Sequence, residues 1–437
     1  MTVERLPPGA LARLARTRSA PGDHTALRDG AHSLRLVLLK SLLTRLERHP
    51  GAVPRPARER FEEHWRLLER TEARDRRPVR DTLDYPSVGH WLARTLAAPD
   101  GDALAGALGH FGAVVASAAL RASGSFTLET ATPGGVLVLP GAGLAETGTD
   151  TVRLTAHGRT ARLTAAGRRT GPVLLRVPGR VCGVGPGWRA LSALPGSDAL
   201  VDDLDPYRAP PEGVSRAALP PAPRSETGRE PWARHWRAAL DLLRATDAER
   251  AAEVTALLRC LVPLARSGPY GRAVTRVSAT YRVAPGAVLT SAPGTAEDLA
   301  EVLVHETQHG KLAVLHDLLP LHRAAPEAVH RVAWRTDPRP LAGVLQGTYA
   351  HLALADFWAR AAAGRTGTPS ARREARARRD SYLRQVAQAL PILLESGELT
   401  PAGREFTQGM ERHLADLGRL RDPSATIGGT SPAGDVR

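Results

Sequence analysis

His305, Glu306 and His309 stand in an H-E-x-x-H spacing within VLVHETQHGKL. On a helix the two histidines lie one turn apart, so both imidazoles can reach one metal ion. Glu306 beside them can handle a proton on a metal-bound water. The usual reading of this spacing is the helix of a zinc peptidase. Val302, Leu303 and Val304 before it, and the apolar run from Leu312 to Leu315 after it, imply partial burial. Half-buried histidines need polar partners, which a metal would supply. The plain alternative is a solvated helix carrying two unrelated histidines.

A metal needs a third protein donor. The extended metzincin pattern would put Gly at 312 and His at 315, and both positions are Leu. His316 shares the helix face but lies about 10 Å beyond His309 along the axis. Glu327 could serve as the third ligand of a gluzincin-type site, yet its setting, LHRAAPEAVHR, reads as a Pro-broken connector. His322 and His330 in that connector are expected to be exposed. His351 is the stronger candidate. GVLQGTYAHLALADFWARAAA reads as an amphipathic helix on which His351 shares a stripe with Val344, Thr348, Ala355 and Trp358. Between the two helices lies AWRTDPRPLAG, where Arg335 and Arg339 bracket Asp337-Pro338. Arginine suits a bidentate grip on a carboxylate. Asp337 is expected to pin one arginine and leave the other free. Two solvated loop arginines are the plain alternative.

The elements that must position these residues are legible in outline. Thr295-Ala296-Glu297-Asp298 resembles a capping box with Asp at the fourth position. It predicts a helix through AEDLAEVLVHETQHGKLAVLHDLL. Residues 1–122 read as a helical N-terminal region, with His90 and His110 as ordinary core or surface histidines. Residues 123–207 read as a small antiparallel β-rich region, including a hairpin in TVRLTAHGRTARLTA that turns near His157-Gly158. GVGPG at 183–187 matches no phosphate-binding pattern and reads as a turn. The Pro-rich stretch 208–230 reads as a linker. Residues 231–421 form the expected helical catalytic domain. In it WARHWRAALDLLRATDAERAAEVTALLRCLVPLAR reads as one long helix or a helical hairpin, followed by an extended segment, AVTRVSATYRVAPGAVLTSA. Residues 422–437 have the composition of a disordered tail. The expected fold class is α+β, mainly α, and not a cupin-type barrel.

With 437 residues and 42% hydrophobic content, the chain can bury two or three domain cores. Its net charge is +14, but lysine occurs only at Lys40 and Lys311. An Arg-for-Lys, Ala-rich bias points to a GC-rich bacterial source rather than to nucleic acid. The arginines are dispersed apart from a run at Arg372 to Arg379, and no aromatic-interleaved basic patch occurs. A basic surface also suits an acidic peptide. Cys182 and Cys260 are too few for a disulfide framework and read as buried apolar residues. No stretch reaches about 18 uninterrupted apolar residues, and the N-terminus lacks a signal-like apolar segment. A soluble, cytoplasmic protein that binds neither membrane nor nucleic acid is expected.

VHETQH, WRTDPRPLAGVLQGTYAH and ADFW together resemble the HExxH-motif family associated with ribosomally made, modified peptides. DDLDPYR at 202–208 and PGAVLTSAP before the motif helix are also similar to that family. Its members occur alone or fused behind radical-SAM maturases. The likeness covers roughly residues 180–410, with the specific motifs between 300 and 360. The family is understood as α-ketoglutarate-dependent peptide β-hydroxylases. The resemblance implies Fe(II) held by His305, His309 and His351, α-ketoglutarate held through Arg335 and Arg339, and a precursor peptide as substrate. It implies that Glu306 supports the site rather than acting as a hydrolytic base. Zinc and peptide hydrolysis remain the alternative. One feature of the sequence is independent of the resemblance. None of the fifteen histidines has Asp or Glu two residues later, so the usual H-x-[DE] motif of barrel oxygenases is absent. Three neutral imidazoles would leave Fe(II) doubly charged, with positions for α-ketoglutarate and O2.

Overall fold

The computed structural model describes residues 6–165, 168–177, 180–266, 276–325, 327–364 and 368–419. The expected tail at 422–437 lies outside the described residues. The protein is α+β and mainly helical, with small sheets, and among the described residues no sheet closes into a barrel. It forms two compact units, each assembled from non-consecutive stretches. Within the described residues, one gathers 24–244 with 251–318, and the other 6–23, 245–250 and 319–419.

The core of the first unit centres on the helix Phe111–Arg121, whose residues Phe111 to Leu120 are all buried. An all-apolar helix is stable only inside a core. Together with Asp102–Leu108 it makes a stretch, Asp102–Arg121, long and apolar enough to cross a membrane. That stretch is 67% buried inside the protein, as a core segment is. Phe111–Arg121 packs on a five-stranded antiparallel sheet ordered Phe126–Ala131, Thr151–His157, Thr160–Ala165, Arg168–Val177 and Arg180–Val184. Phe126, Leu128 and Thr130 are buried opposite Ala156, Leu154 and Val152, the period-2 alternation of a sheet with one covered face. The approach is close at Gly112, where a Cβ would collide with Thr130 Oγ1. The hairpin turns at Gly158, whose φ is +53°, with His157 paired to Thr160 as the sequence implies. GVGPG ends one strand and turns the chain into the next, Trp188–Ala190.

A second five-stranded sheet corrects one expectation. RCLVPLAR is not a continuation of the helical run. The helices Arg229–Thr246 and Ala248–Leu257 end before it, and Cys260–Pro263 is a strand. It pairs in parallel with Ala287–Thr290 and with Leu200–Val201. Both longer strands are buried at every residue. Such continuous apolar runs are typical of parallel strands covered on both faces, and over four residues they carry no period that separates strand from helix. Ser278–Ala279 adds an antiparallel edge. Cys260 is buried as expected, whereas Cys182 is only half-buried. In the Pro-rich stretch 208–230, Val214 and Leu219 are buried and pair through both backbone amides.

The second unit is helical. Leu341–Ala363 packs along Pro369–Leu394, with Pro401–Arg419 and the short Ala10–Ala15 beside them. The Tyr349 ring meets Phe406 at a 50° tilt, 5.3 Å between centroids, and its hydroxyl donates to the Leu14 carbonyl at 2.7 Å. Asp356, from the ADFW motif, is 2% exposed and is ion-paired with Arg18, Arg250 and Arg360. Arg18 also reaches Asp247 at 2.5 Å. Burial raises the pKa of the Asp356 carboxyl, but the charges of Arg18 and Arg250 outweigh it and the net shift is downward.

Candidate functional site

The motif helix runs Ala296–Leu318, the span its cap and periodicity predict. Thr295 Oγ1 accepts the Asp298 N–H at 3.1 Å, which is half of the expected capping box. Glu297 and Asp298 in the first turn favour the positive end of the helix dipole. Pro320 follows two residues after its end, where the helix could not continue. Leu299, Val302, Leu303, Leu312 and Leu315 are buried, and the helix packs on the strands Ser278–Ala279 and Ala287–Thr290.

His305 and His309 are half-buried and turned toward each other. Their Nε2 atoms are 3.0 Å apart and the rings meet edge to face at 86°. Two imidazole nitrogens bound to one ion at about 2.1 Å lie roughly 3.0–3.4 Å apart, between right-angle and tetrahedral arrangements. The pair therefore fits a shared ion. It also fits an N–H···N hydrogen bond between a protonated and an unprotonated nitrogen. Among the described residues no group of three His, Cys, Asp or Glu side chains is gathered to hold a metal.

Glu306 is 3% exposed. Its Oε1 accepts the Ser278 hydroxyl hydrogen at 2.6 Å, while Oε2 has no hydrogen-bond partner among the described residues. Burial pushes its pKa up, against the opposing pull of nearby His309 and the Ser278 hydrogen bond. On the same helix Lys311 Nζ donates to Glu253 Oε1 at 2.5 Å and to Gln308 Oε1 at 2.9 Å, and Gln308 Nε2 donates to Glu253 Oε2 at 3.0 Å. The Lys311 and Glu253 side chains are 1% and 2% exposed. The ion pair ties the motif helix to the helix Ala248–Leu257.

The remaining expected residues lie in the second unit. His351 is 7% exposed on the helix Leu341–Ala363, so its apolar stripe does face inward. Trp334 meets its ring edge-on at 4.6 Å, and Tyr382 lies at 5.2 Å. The indole rests over Gly347, one turn before His351, where a Cβ would come within 2.6 Å of Trp334 Cζ2. The WRTDPRP loop is thus seated on the His351 face of the helix. Its base is closed by the His330–Arg339 backbone pair, at 3.0 and 2.7 Å. Asp337 holds both guanidiniums rather than one. Arg335 Nε donates to it at 3.1 Å, and Arg339 NH1 lies 3.5 Å away. Three intervening residues bring both arginines back to the same turn, which the sequence alone does not reveal. Glu327 is exposed and outside any helix. His322 and His330, expected to be exposed, are half-buried, and each sits in an isolated backbone bridge, His322 with Leu399 and His330 with Arg339.

The DDLDPYR segment is a buried polar anchor in the first unit. Asp202 accepts from the Tyr85 hydroxyl at 2.9 Å, Asp205 from Ser87 at 2.6 Å, and Asp203 from Arg224 and Thr227. Burial and neighbouring Asp205 push the Asp202 pKa up to about 6. Sequence reasoning missed Ser278, Trp334 and the Lys311–Glu253 pair. Lysine at only two positions was the available signal for the last, since one lies inside an apolar helix. No family model matches the chain, and no curated protein is significantly similar to it.

Proposed function

We propose that the protein is an Fe(II)/α-ketoglutarate-dependent dioxygenase that hydroxylates the β-carbon of a residue in a ribosomally made peptide. What carries the reading is the seating of the arginine-bearing loop on His351 through Trp334. It couples a candidate ligand to candidate carboxylate-binding groups within one unit. The resemblance assigns His351 as the ligand that joins His305 and His309. Bound Fe(II) with α-ketoglutarate would supply O2 activation able to break an unactivated C–H bond.

The chain's own residues have definable tasks in this reading. His305 and His309 present two converging imidazole nitrogens from one helix turn. Arg335 and Arg339 bind the carboxylate of α-ketoglutarate, and Asp337 holds their guanidiniums in place. Trp334 shields one face of His351 from water. Glu306, anchored by Ser278, supports the motif helix instead of activating water. We place the protein in the cytoplasm, acting on a precursor peptide that a radical-SAM maturase also modifies.

The test is incubation of the iron-loaded protein with α-ketoglutarate, O2 and the precursor peptide encoded beside it. The expected result is a peptide heavier by one oxygen atom, with succinate formed. Neither product, with iron demonstrably bound, would rule the reading out. Zinc-dependent hydrolysis is the second reading, favoured by a buried glutamate one residue from His305. It predicts peptide fragments without α-ketoglutarate.

A further inference from the structure

A cavity of about 70 Å³ lies in the first unit, against the side of the motif helix away from the histidines. Glu306, Gly310 and Val314 line it at four-residue steps. They fall on a stripe about 100–180° round the helix from His305. The opposing wall includes Leu27, Leu258 and the strand Ala287–Thr290 that follows Gly286. The volume holds about five to seven water-sized groups, enough for a small molecule or one residue of a peptide.

Two arginines and one carboxylate oxygen on this cavity have no protein partner among the described residues. Glu306 is buried and its Oε2 has no hydrogen-bond partner among the described residues. Arg28, which is exposed, and Arg259, which is half-buried, both line the cavity, and neither guanidinium has a hydrogen bond or ion pair among the described residues. The Arg259 stem lies across Gly286, whose φ is +88° and where a Cβ would come within 2.7 Å of Arg259 Cγ. Glycine there is what lets the arginine lie along the wall. Glu306 forms no ion pair with either arginine, so a ligand can span the opposite charges. Lys311 and Asp84 also line the cavity, but the ammonium is held by Glu253 and Gln308, and the Asp84 carboxylate is paired with His32 and Arg80.

We propose that this cavity binds a ligand of amino-acid chemistry. Its carboxylate is taken by Arg28 and Arg259, and its amine or amide N–H donates to Glu306 Oε2. The ligand is either a free amino acid or the C-terminal residue of a peptide. This gives Glu306 a recognition task that needs no metal, and it stands whether or not the hydroxylase reading holds.

The test is calorimetric titration of the full-length protein, as purified and without added iron. The probes are L-alanine, L-leucine, L-leucinamide, Gly-Gly-Leu, its C-terminal amide, and α-ketoglutarate. At least one free-acid, N–H-bearing probe is expected to bind, with roughly tenfold loss on amidation and on Arg259→Gln, the weight of one charge-assisted contact. Val314→Trp should abolish binding by filling the cavity. Leucine against Gly-Gly-Leu separates the free from the peptide-borne source. Absence of binding by every N–H-bearing probe at about 10 mM overturns the proposal. So does binding unchanged by Arg259→Gln, which stays decisive if Val314→Trp fails to fold. Binding of α-ketoglutarate alone overturns it as well.

Discussion

Gly347→Ala probes the contact that seats the WRTDPRP loop. The new Cβ would lie 2.6 Å from Trp334 Cζ2 and 2.8 Å from Cε2 and Nε1. An ordinary contact needs about 3.5 Å or more, so the indole must retreat by roughly 1 Å. Overpacking of this kind costs about 1–3 kcal/mol. The same change gains about 1 kcal/mol of helix propensity. The single variant should therefore lose about 0–2 kcal/mol. In a Trp334→Ala background the clash is gone, and Gly347→Ala should stabilise by about 1 kcal/mol. The double-mutant cycle isolates a coupling of about 1–3 kcal/mol, measured by urea unfolding followed by circular dichroism. In the hydroxylase reading the displaced loop also weakens α-ketoglutarate binding. A coupling below about 0.5 kcal/mol would mean that Trp334 does not rest on Gly347 in solution, and the link between His351 and the arginines would fail with it.

Lys311→Met should cost about 3–5 kcal/mol, because it leaves the Glu253 carboxylate buried without its cation, and adding Glu253→Gln should recover much of the loss in the same urea assay. Acid should destabilise both units as the pH falls below the ordinary histidine value of about 6.5. Burial holds His90 and His413 down to about 4, against opposing pulls from the Tyr207 carbonyl and from Asp356. A depressed histidine favours folding fully above the unfolded value of about 6.5, and that contribution is lost as pH falls toward 4. The loss is on the order of 3 kcal/mol for each histidine. Denaturation midpoints measured from pH 7 to 4 should fall across that window, and His413→Phe should flatten the fall in the second unit.

Local signals made much of the fold legible. Thr295 and the apolar spacing predicted both ends of the motif helix, Gly158 marked the hairpin turn, and the stripe through Val344 and Trp358 turned His351 inward. Each rests on a period or a cap contained in a few neighbouring residues. The strand Cys260–Pro263 was not legible because four buried residues show no period, and its partner at 287–290 lies beyond an intervening segment. The interleaved units were not legible either, since the stretches 6–23 and 245–250 carry no boundary composition. At the candidate site, spacing identified the histidine pair. The partners of Glu306, Lys311 and Trp334 come from Ser278, Glu253 and Gly347, and such tertiary contacts leave no mark on periodicity.

In the hydroxylase proposal, α-ketoglutarate joins Fe(II) on the imidazoles of this chain. Anaerobic titration of the iron-loaded protein with α-ketoglutarate tests it directly. The expected result is a visible charge-transfer absorption, lost in His305→Ala and His351→Ala and shifted to higher α-ketoglutarate concentration in Arg335→Ala or Arg339→Ala. Iron that binds without that absorption, or an absorption untouched by the histidine substitutions, would contradict it.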